Sequence, residues 1–500
     1  MANSGPNNLG VIGTVAGAVL AGSLASSLAP GSGGATAPAS SNSVATAASM
    51  VHVAPSLAAD TFREVIATAT FGGERPVAIF HAFDQQYADV AGFVCDLAKQ
   101  GYSHVQIAPA QKSNPDTHWW ARFQPIDYRI IEGRGSEGDL SALVQKAHGC
   151  GIRVIADVVF NHMADMPAYS NLASFPSLTV GDFHKRCNID NYNDRNQVVN
   201  CWLGGLPDLD QSQAEVQAAH QAHLQKLVAL GIDGFRFDAA KHMLPDAVRG
   251  YISFVNQQTH GQSWNYLEVI EDPGTPAEDY DGIAAVTDLV LYGTMKSAFT
   301  LGGDLRSLRV PAAVNDPRSV TFGRNHDNLS VINGDNNTGA INPYTDATDS
   351  YLATAYVLAR ESGTPLVLNL DNFASPFIRF GTQFRQIVTQ RGRAGALVHE
   401  NVLGVVDSGT LLVMERGAEG LLVVNKAADA FDVPTLDMTL TDLEGCYNEL
   451  RNNFTIAIER RPDRKKYVTR WGTWARGGMQ VQARDALFFV RQPWTQCQSP

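Results

Sequence analysis

Two hydrophobic rhythms divide the chain. From about residue 60 to 400, short apolar runs recur between longer stretches in which apolar residues return every three or four positions. Val77–Phe83, His104–Pro109 and Ile152–Phe160 read as buried strands, with Val90–Lys99 and Leu140–His148 as the amphipathic helices between them. The pattern resumes with helix 213–230, strand 234–239, helix 246–258 and strand 265–270. Further strands are expected near Ala285–Val290, Val320–Phe322 and Thr364–Leu370. Strands alternating with helices over this length predict an α/β fold, a (β/α)8 TIM barrel in preference to an open sheet. The irregular stretch after the third strand, 163–208, reads as an inserted loop-rich subdomain, splitting the barrel into 60–162 and 209–400. From 401 to 500 the rhythm changes to period two, as in Thr410–Met414 and Gly420–Val424, which predicts a C-terminal all-β sandwich.

Residues 1–59 hold no charged side chain. Within them, 9–29 is an uncharged apolar run of membrane-spanning length that also suits a signal-peptide core, although no Lys or Arg precedes it. The bland reading is a disordered tail. We expect a secreted or lumenal protein; the alternatives are an anchor through 9–29, or a cytoplasmic chain with a disordered N-terminus. A net charge of −12 argues against nucleic acid and against an anionic membrane surface as main partner. It fits a neutral substrate and a soluble body, and we expect a monomer. The six cysteines permit three bridges and prove none. Cys187 and Cys201 flank a loop-rich stretch that suits a bridge, Cys95 and Cys150 lie in apolar helical segments as buried free thiols do, and no pairing is assigned to Cys446 or Cys497.

The chemistry gathers where strands end. The third ends in Asp157-Val-Val-Phe-Asn161-His162, the fourth in Arg236-Phe-Asp238 followed by Lys241-His242, the fifth in Glu268 and the seventh in Asn325-His326-Asp327. Arg236 and Asp238 are two apart, so on a strand they share a face. Barrel enzymes carry their catalytic groups at these ends. One such residue is more often a cap or a structural ion pair; four ends bearing carboxylates are hard to explain that way. Clustered carboxyls with histidines and one arginine suit glycoside hydrolysis, in which one carboxyl is the nucleophile or base and another the acid.

These blocks, with Trp119-Trp120-Ala-Arg-Phe123-Gln124-Pro and Leu206-Pro-Asp208-Leu, resemble the ordered sequence blocks of the α-amylase family of glycoside hydrolases, nearest the animal and actinobacterial type. The resemblance is strong over about 75–400. It implies Asp238 as nucleophile, Glu268 as general acid/base and Asp327 as the third carboxylate, with Arg236 holding Asp238 ionised. It places Trp119, Trp120, Phe123, Gln124, Asp157, His162, Lys241, His242 and His326 in the substrate cleft. Phe123 departs from the family's Tyr, keeping the ring and losing the hydroxyl. The resemblance also implies Ca2+ held by Asn161, Asp208 and a carbonyl at His242, and a Cys187–Cys201 disulfide. Chloride is not expected, because Leu366 stands where the family's second chloride-binding arginine belongs. The implied activity is retaining endo-hydrolysis of α-1,4-glucans such as starch and glycogen. Alternatives are an exo-acting α-glucosidase or transglycosylase of the same family, and a non-catalytic carbohydrate-binding homologue. The 333–345 loop, rich in Asn, Gly and Asp, has no assigned role.

Overall fold

The computed structural model describes residues 73–314, 319–328, 346–403, 409–433, 442–460, 466–471 and 479–497. The N-terminal run 9–29 and the 333–345 loop lie outside them. Eight parallel strands close a barrel: β1 (Ile79–Ala82), β2 (His104–Ile107), β3 (Arg153–Val159), β4 (Gly234–Asp238), β5 (Tyr266–Leu267), β6 (Ala285–Thr287), β7 (Ser319–Thr321) and β8 (Thr364–Leu368), with β8 pairing back onto β1. All eight expected strands form, several shorter at their ends than the apolar runs suggest. A helix packs outside between most of them: α1 (Tyr87–Gln100), α2 (Glu137–Gly149), α3 (Ala214–Ala229), α4 (Pro245–Gln258), α5 (Leu289–Phe299) and α6 (Ala347–Ala359). After β8 come α7 (Asn369–Ala374) and α8 (Pro376–Arg393).

Local chemistry sets these boundaries. Ser136 caps α2 in a reciprocal box with Asp139, satisfying amides that the first turn leaves free. Gly101 ends α1 with φ 101°, a left-handed conformation that glycine adopts at least cost. Gly234 is required for a different reason. A Cβ there would sit 2.0 Å from the Trp264 carbonyl oxygen, so only glycine lets the chain pass at the foot of β4.

The C-terminal region forms a seven-stranded antiparallel sheet, in the order 400–403, 411–416, 420–425, 485–492, 445–449, 455–460 and 466–471. Its period-two pattern buries both faces. Leu412, Met414, Leu422, Val424, Phe488 and Val490 join the barrel core against α8, where Phe384 meets Phe488 at 5.4 Å. The alternate residues Leu411, Val413, Leu421, Val423, Leu487 and Phe489 make a second core with Val481, which lies on the two-stranded ribbon of 431–433 and 479–481. The second layer over this sheet is thus a small ribbon, because the barrel covers the other face.

Three disulfides are present. Cys187 and Cys201 close the loop within the 163–208 insertion, with Cα atoms 4.9 Å apart. Cys446 joins Cys497, tying a central strand to the C-terminal turn. Cys95 and Cys150 are bonded as well, which corrects their reading as free thiols. Helical periodicity shows which face a cysteine occupies, not its partner; α1 and α2 lie side by side and bring the two Cα atoms to 5.3 Å.

Behind β3 and β4, the side chains facing the helices build an aromatic layer. His220 of α3 stacks on Phe160 at 4.0 Å and shares a hydrogen bond with Tyr251 Oη at 2.8 Å. His223 donates through Nδ1 to the Tyr128 carbonyl at 2.8 Å. Both Nε2 atoms are buried without a partner. Burial therefore holds both rings neutral, His220 well below 6.5 and His223 down to about 4. The unfolded chain takes up these protons near pH 6.5 and the folded chain does not, so stability falls as pH drops from 6.5 toward 4. Each histidine should contribute a slope of about 1.4 kcal/mol per pH unit in that window. Urea unfolding at pH 7.5 and 5 tests this: His220→Gln/His223→Gln should flatten the pH dependence, and an unchanged slope would contradict it.

Candidate active site

Register alone brings the polar strand ends together. On β3 and β4, Asp157 lies opposite Arg236 and Val159 opposite Asp238. On β4 and β5, Arg236 lies opposite Tyr266, and the Glu268 amide bonds the Phe237 carbonyl at 2.9 Å. Arg236 and Asp238 share the inward face while Phe235 and Phe237 pack outward.

Arg236 is the centre. Its Nη1 donates to Asp157 Oδ1 and Oδ2 at 2.8 and 2.9 Å and to Asp238 Oδ1 at 2.8 Å. Its Nη2 lies 2.6 Å from Glu268 Oε1. The other oxygen of Glu268 accepts from the Ala239 amide at 2.9 Å. Ala239 has φ 47°, a left-handed turn that aims this amide back at the site. Gln106 Nε2 donates to Asp157 at 3.4 Å, and the Tyr266 hydroxyl donates to Gln106, fixing the amide from beneath.

Electrostatics departs from the expectation that Arg236 simply keeps Asp238 ionised. Burial pushes the Asp157 carboxyl up to about 7 and raises Asp238 and Asp327 as well, with Arg236 pulling each of them down. One guanidinium divided among three carboxyls, with Asp327 close by, does not offset burial and mutual repulsion. The net shift on Asp238 is upward.

Beside Arg236 lies a cluster of aromatic rings. His326 stacks on Phe123 at 5.3 Å and on Phe83 at 5.0 Å and meets the edge of Trp119 at 5.7 Å. The Arg236 guanidinium lies 5.8 Å from the Phe123 ring. His162 Nε2 donates to the Phe123 carbonyl at 3.0 Å, fixing its tautomer, and burial lowers its pKa to about 4. Asp327 is placed by Asn325, whose Oδ1 accepts from the Asp327 amide at 3.1 Å.

Other expected residues stand apart from this centre. Trp120 stacks on His118, and Gln124 uses its side-chain oxygen to hold Asn114 Nδ2 at 2.9 Å. Lys241 is buried, with its ammonium 2.8 Å from both Asp272 Oδ2 and the Ile270 carbonyl and 5.0 Å from the Tyr192 ring. His242 Nδ1 donates to the Val198 carbonyl at 2.9 Å, joining the β4 turn to the insertion. Leu366 is buried within β8.

Asn161 and Asp208 meet where the insertion returns to the barrel. Asn161 Nδ2 donates to Asp208 Oδ1 at 3.0 Å, and His184 Nδ1 to Asp208 Oδ2 at 2.7 Å. Asn161 Oδ1 is buried with no donor facing it. Burial raises Asp208 to about 7, against the pull of His184 and Asn161. A buried carboxyl beside an amide oxygen without a donor fits a hard, oxygen-liganded cation. No cluster of three or more His, Cys, Asp or Glu able to hold a metal occurs among the described residues, so any ion there would depend on amide and carbonyl oxygens.

His184 and Asp272 were not anticipated from sequence, and neither was the ion pair of Arg324 and Asp371. Arg324 precedes Asn325-His326-Asp327, and its Nε donates to Asp371 Oδ1 at 2.7 Å from a fully buried position. Asp371 lies on α7, whose Asn369 holds the Phe83 carbonyl at 3.1 Å. The pair thus braces the end of β7 against the helix after β8.

A fold of this kind with carboxyls on β3 and β4 and just beyond β5 and β7 defines a glycoside-hydrolase-like barrel. The family model described as alpha amylase, catalytic domain, matches residues 96–271. An α-amylase of Phaedon cochleariae is 34% identical over 324 residues, 59% of this chain and 65% of that one. An α-amylase-related protein of Drosophila punjabiensis is 31% identical over 398 residues, 69% of this chain and 80% of that one. The matched region therefore spans just under two thirds of the Phaedon protein. α-Amylase I from Eisenia fetida superposes with a TM-score of 0.67 at 21% identity, over 83% of this chain and 99% of that one. The chain belongs to the α-amylase family.

Removing one partner of a fully buried ion pair leaves the other uncompensated. Asp371→Asn should lower stability by about 3–5 kcal/mol in denaturant titration, and Arg324→Met/Asp371→Leu by much less. Equal losses in the two proteins would show that the ion pairing is not what matters there.

Proposed function

We propose that this protein is a retaining endo-α-amylase that cleaves α-1,4-glucosidic bonds in starch- or glycogen-type polysaccharides. The observation that carries the reading is the single guanidinium of Arg236 bonded to Asp157, Asp238 and Glu268 at the mouth of the barrel. Carboxyls on adjacent nitrogens of one guanidinium lie close together. This favours the separation of about 5–5.5 Å used in direct attack over the wider spacing that leaves room for a water.

In this mechanism Asp238 attacks the anomeric carbon while Glu268 protonates the departing glycosidic oxygen. The glycosyl ester on Asp238 is then hydrolysed by a water whose proton goes to Glu268, and configuration is retained. Asp327, His162 and His326 bind sugar hydroxyls around the cleavage point. Trp119, Phe123 and Phe83 offer aromatic faces to the apolar faces of glucose units, and Trp120 extends that surface. Arg236 and Asp157 act as one positioning unit.

Calcium would be held by Asn161, Asp208 and the carbonyl at His242. When bound there, the ion would supply no chemistry to the bond broken; through it Asn161, Asp208 and the His242 carbonyl would tie the insertion to the barrel. Chloride is not part of this reading, since Leu366 presents no positive charge and Arg236 is already shared among three carboxyls. Three disulfides favour an oxidising compartment, and we assign the protein as secreted or lumenal. No helix among the described residues is long and apolar enough to cross a membrane.

Asp238→Asn should reduce starch hydrolysis roughly 10⁴-fold with the fold intact, because an amide cannot act as the nucleophile. Glu268→Gln should lose most activity on glucans yet keep more on a glucosyl fluoride, whose leaving group needs no proton. Equal losses on both substrates would remove Glu268 from the acid role. Mixed maltooligosaccharides released from soluble starch support endo action; glucose alone would point to the exo-acting alternative.

Two further measurements follow from the charges. Asp238 must be ionised to attack and is raised in the free site, so the acid limb of kcat/KM should lie above the ordinary aspartate range. Asp157→Asn removes a like charge and leaves more of Arg236 to Asp238, which should move that limb down by about one pH unit; an upward move would contradict the sharing. Excess chelator should lower Tm and added calcium restore it, since an ion bound only by the folded chain stabilises it by about 2.7 kcal/mol at one hundred times Kd.

A further inference from the structure

We infer that Asn453 is an attachment site for an N-linked glycan. Asn453-Phe454-Thr455 has the Asn-X-Ser/Thr pattern, with X other than proline, that eukaryotic secretory pathways use as acceptor. The fold places the triplet where such a modification can stand. Strands 445–449 and 455–460 form an antiparallel hairpin, and Asn452 and Asn453 are the exposed residues of its turn.

Asn453 has φ 52°, and its amide bonds the Glu449 carbonyl at 3.0 Å. That conformation alone would account for an asparagine here, since Asn tolerates the left-handed region. It does not account for Thr455, which pairs with Asn448 at the start of the next strand, where many residues would serve. The side chain is also set correctly. Asn453 Oδ1 accepts from Asn448 Nδ2 at 3.2 Å, leaving Nδ2, the atom a glycan joins, with no hydrogen-bond acceptor among the described residues. The turn belongs to the C-terminal sheet, and the hydrogen bonds of Arg451, Asn452 and Asn453 go to Asp485, Glu449 and Asn448 within that sheet, none to Asp157, Asp238, Glu268 or Asp327.

The inference rests on the secretory reading drawn from the three disulfides. The donor would be a polyisoprenyl-diphosphate-linked oligosaccharide. The Nδ2–C1 bond forms as the C1–O bond to the diphosphate breaks, the diphosphate leaves with the electron pair, and the amide gives up one proton. Because Thr455 becomes part of the sheet, transfer would precede closure of this hairpin. Two further triplets begin at Asn328 and Asn336. The second lies outside the described residues, and Asn328 directly follows Asp327, where a glycan would crowd the cleft; the inference is confined to Asn453.

The test is to secrete the full chain from insect cells behind a cleavable leader and map its peptides by mass spectrometry without reduction. The peptide containing Asn453 should carry hexose and N-acetylhexosamine, and enzymatic release of the glycan should convert Asn453 to Asp. Thr455→Ala and Asn453→Asp should each abolish this glycan, Thr455→Ser should retain it, and starch hydrolysis should be unchanged in all three. Asn453→Asp keeps a residue that tolerates the turn, so loss of the glycan is separable from loss of the fold. A bare Asn453 in chains whose six cysteines are paired would overturn the inference. A bare Asn453 with free cysteines would overturn the secretory reading and the inference with it.

Discussion

The guanidinium of Arg236 is the constraint on which the rest of the site depends. A buried carboxyl is costly unless a cation or hydrogen bonds compensate it, and here at least three converge on one cation. Taken singly each pair would be a structural ion pair. Taken together they are under-compensated, and the direction of the shifts at Asp157 and Asp238 says so. Such an under-compensated cluster resists any loss of its cation, and on the proposed reading it would favour a substrate that develops positive charge at an anomeric carbon. The same interaction that disfavours full ionisation of the empty site is what would stabilise an oxocarbenium-like transition state.

Holding that cluster in place is the task of the surrounding elements. Gln106 and Tyr266 brace Asp157 from within the barrel, while Arg324 and Asp371 brace the β7 end from beside it. The insertion is fastened twice, by the Cys187–Cys201 bridge within it and by the contact of Asp208 with Asn161 at its return. Lys241 and His242 fasten a third point, since Lys241 lies against Tyr192 and His242 donates to Val198, both residues of the insertion. These two therefore fasten the insertion to the turn after β4.

Much of this was legible in the sequence because barrel strands announce themselves as apolar runs with polar tips. Asp157, Arg236, Asp238, Glu268 and Asp327 could each be located at such a tip, and parallel register does the rest. Other features were hidden for definable reasons. α6 is buried on nearly every side, so it carries no amphipathic period and escaped notice between Asp346 and Arg360. The Cys95–Cys150 bridge depends on which two helices are neighbours, which periodicity does not report. Asp371 reads as an ordinary polar residue after a strand until its arginine is placed beside it. The share of Arg236 that falls to Asp238 is likewise a property of three strands, and two residues on one strand suggested a simpler pairing.

The most direct test of the central claim is to trap the covalent intermediate. The protein would be incubated with a fluorinated maltosyl fluoride that forms the glycosyl ester faster than it is hydrolysed, then digested and sequenced by mass spectrometry. The expected result is a sugar ester on Asp238, the carboxyl that shares Nη1 of Arg236 with Asp157. An ester on Glu268 or Asp327 instead would contradict the assignment and the role given to Arg236.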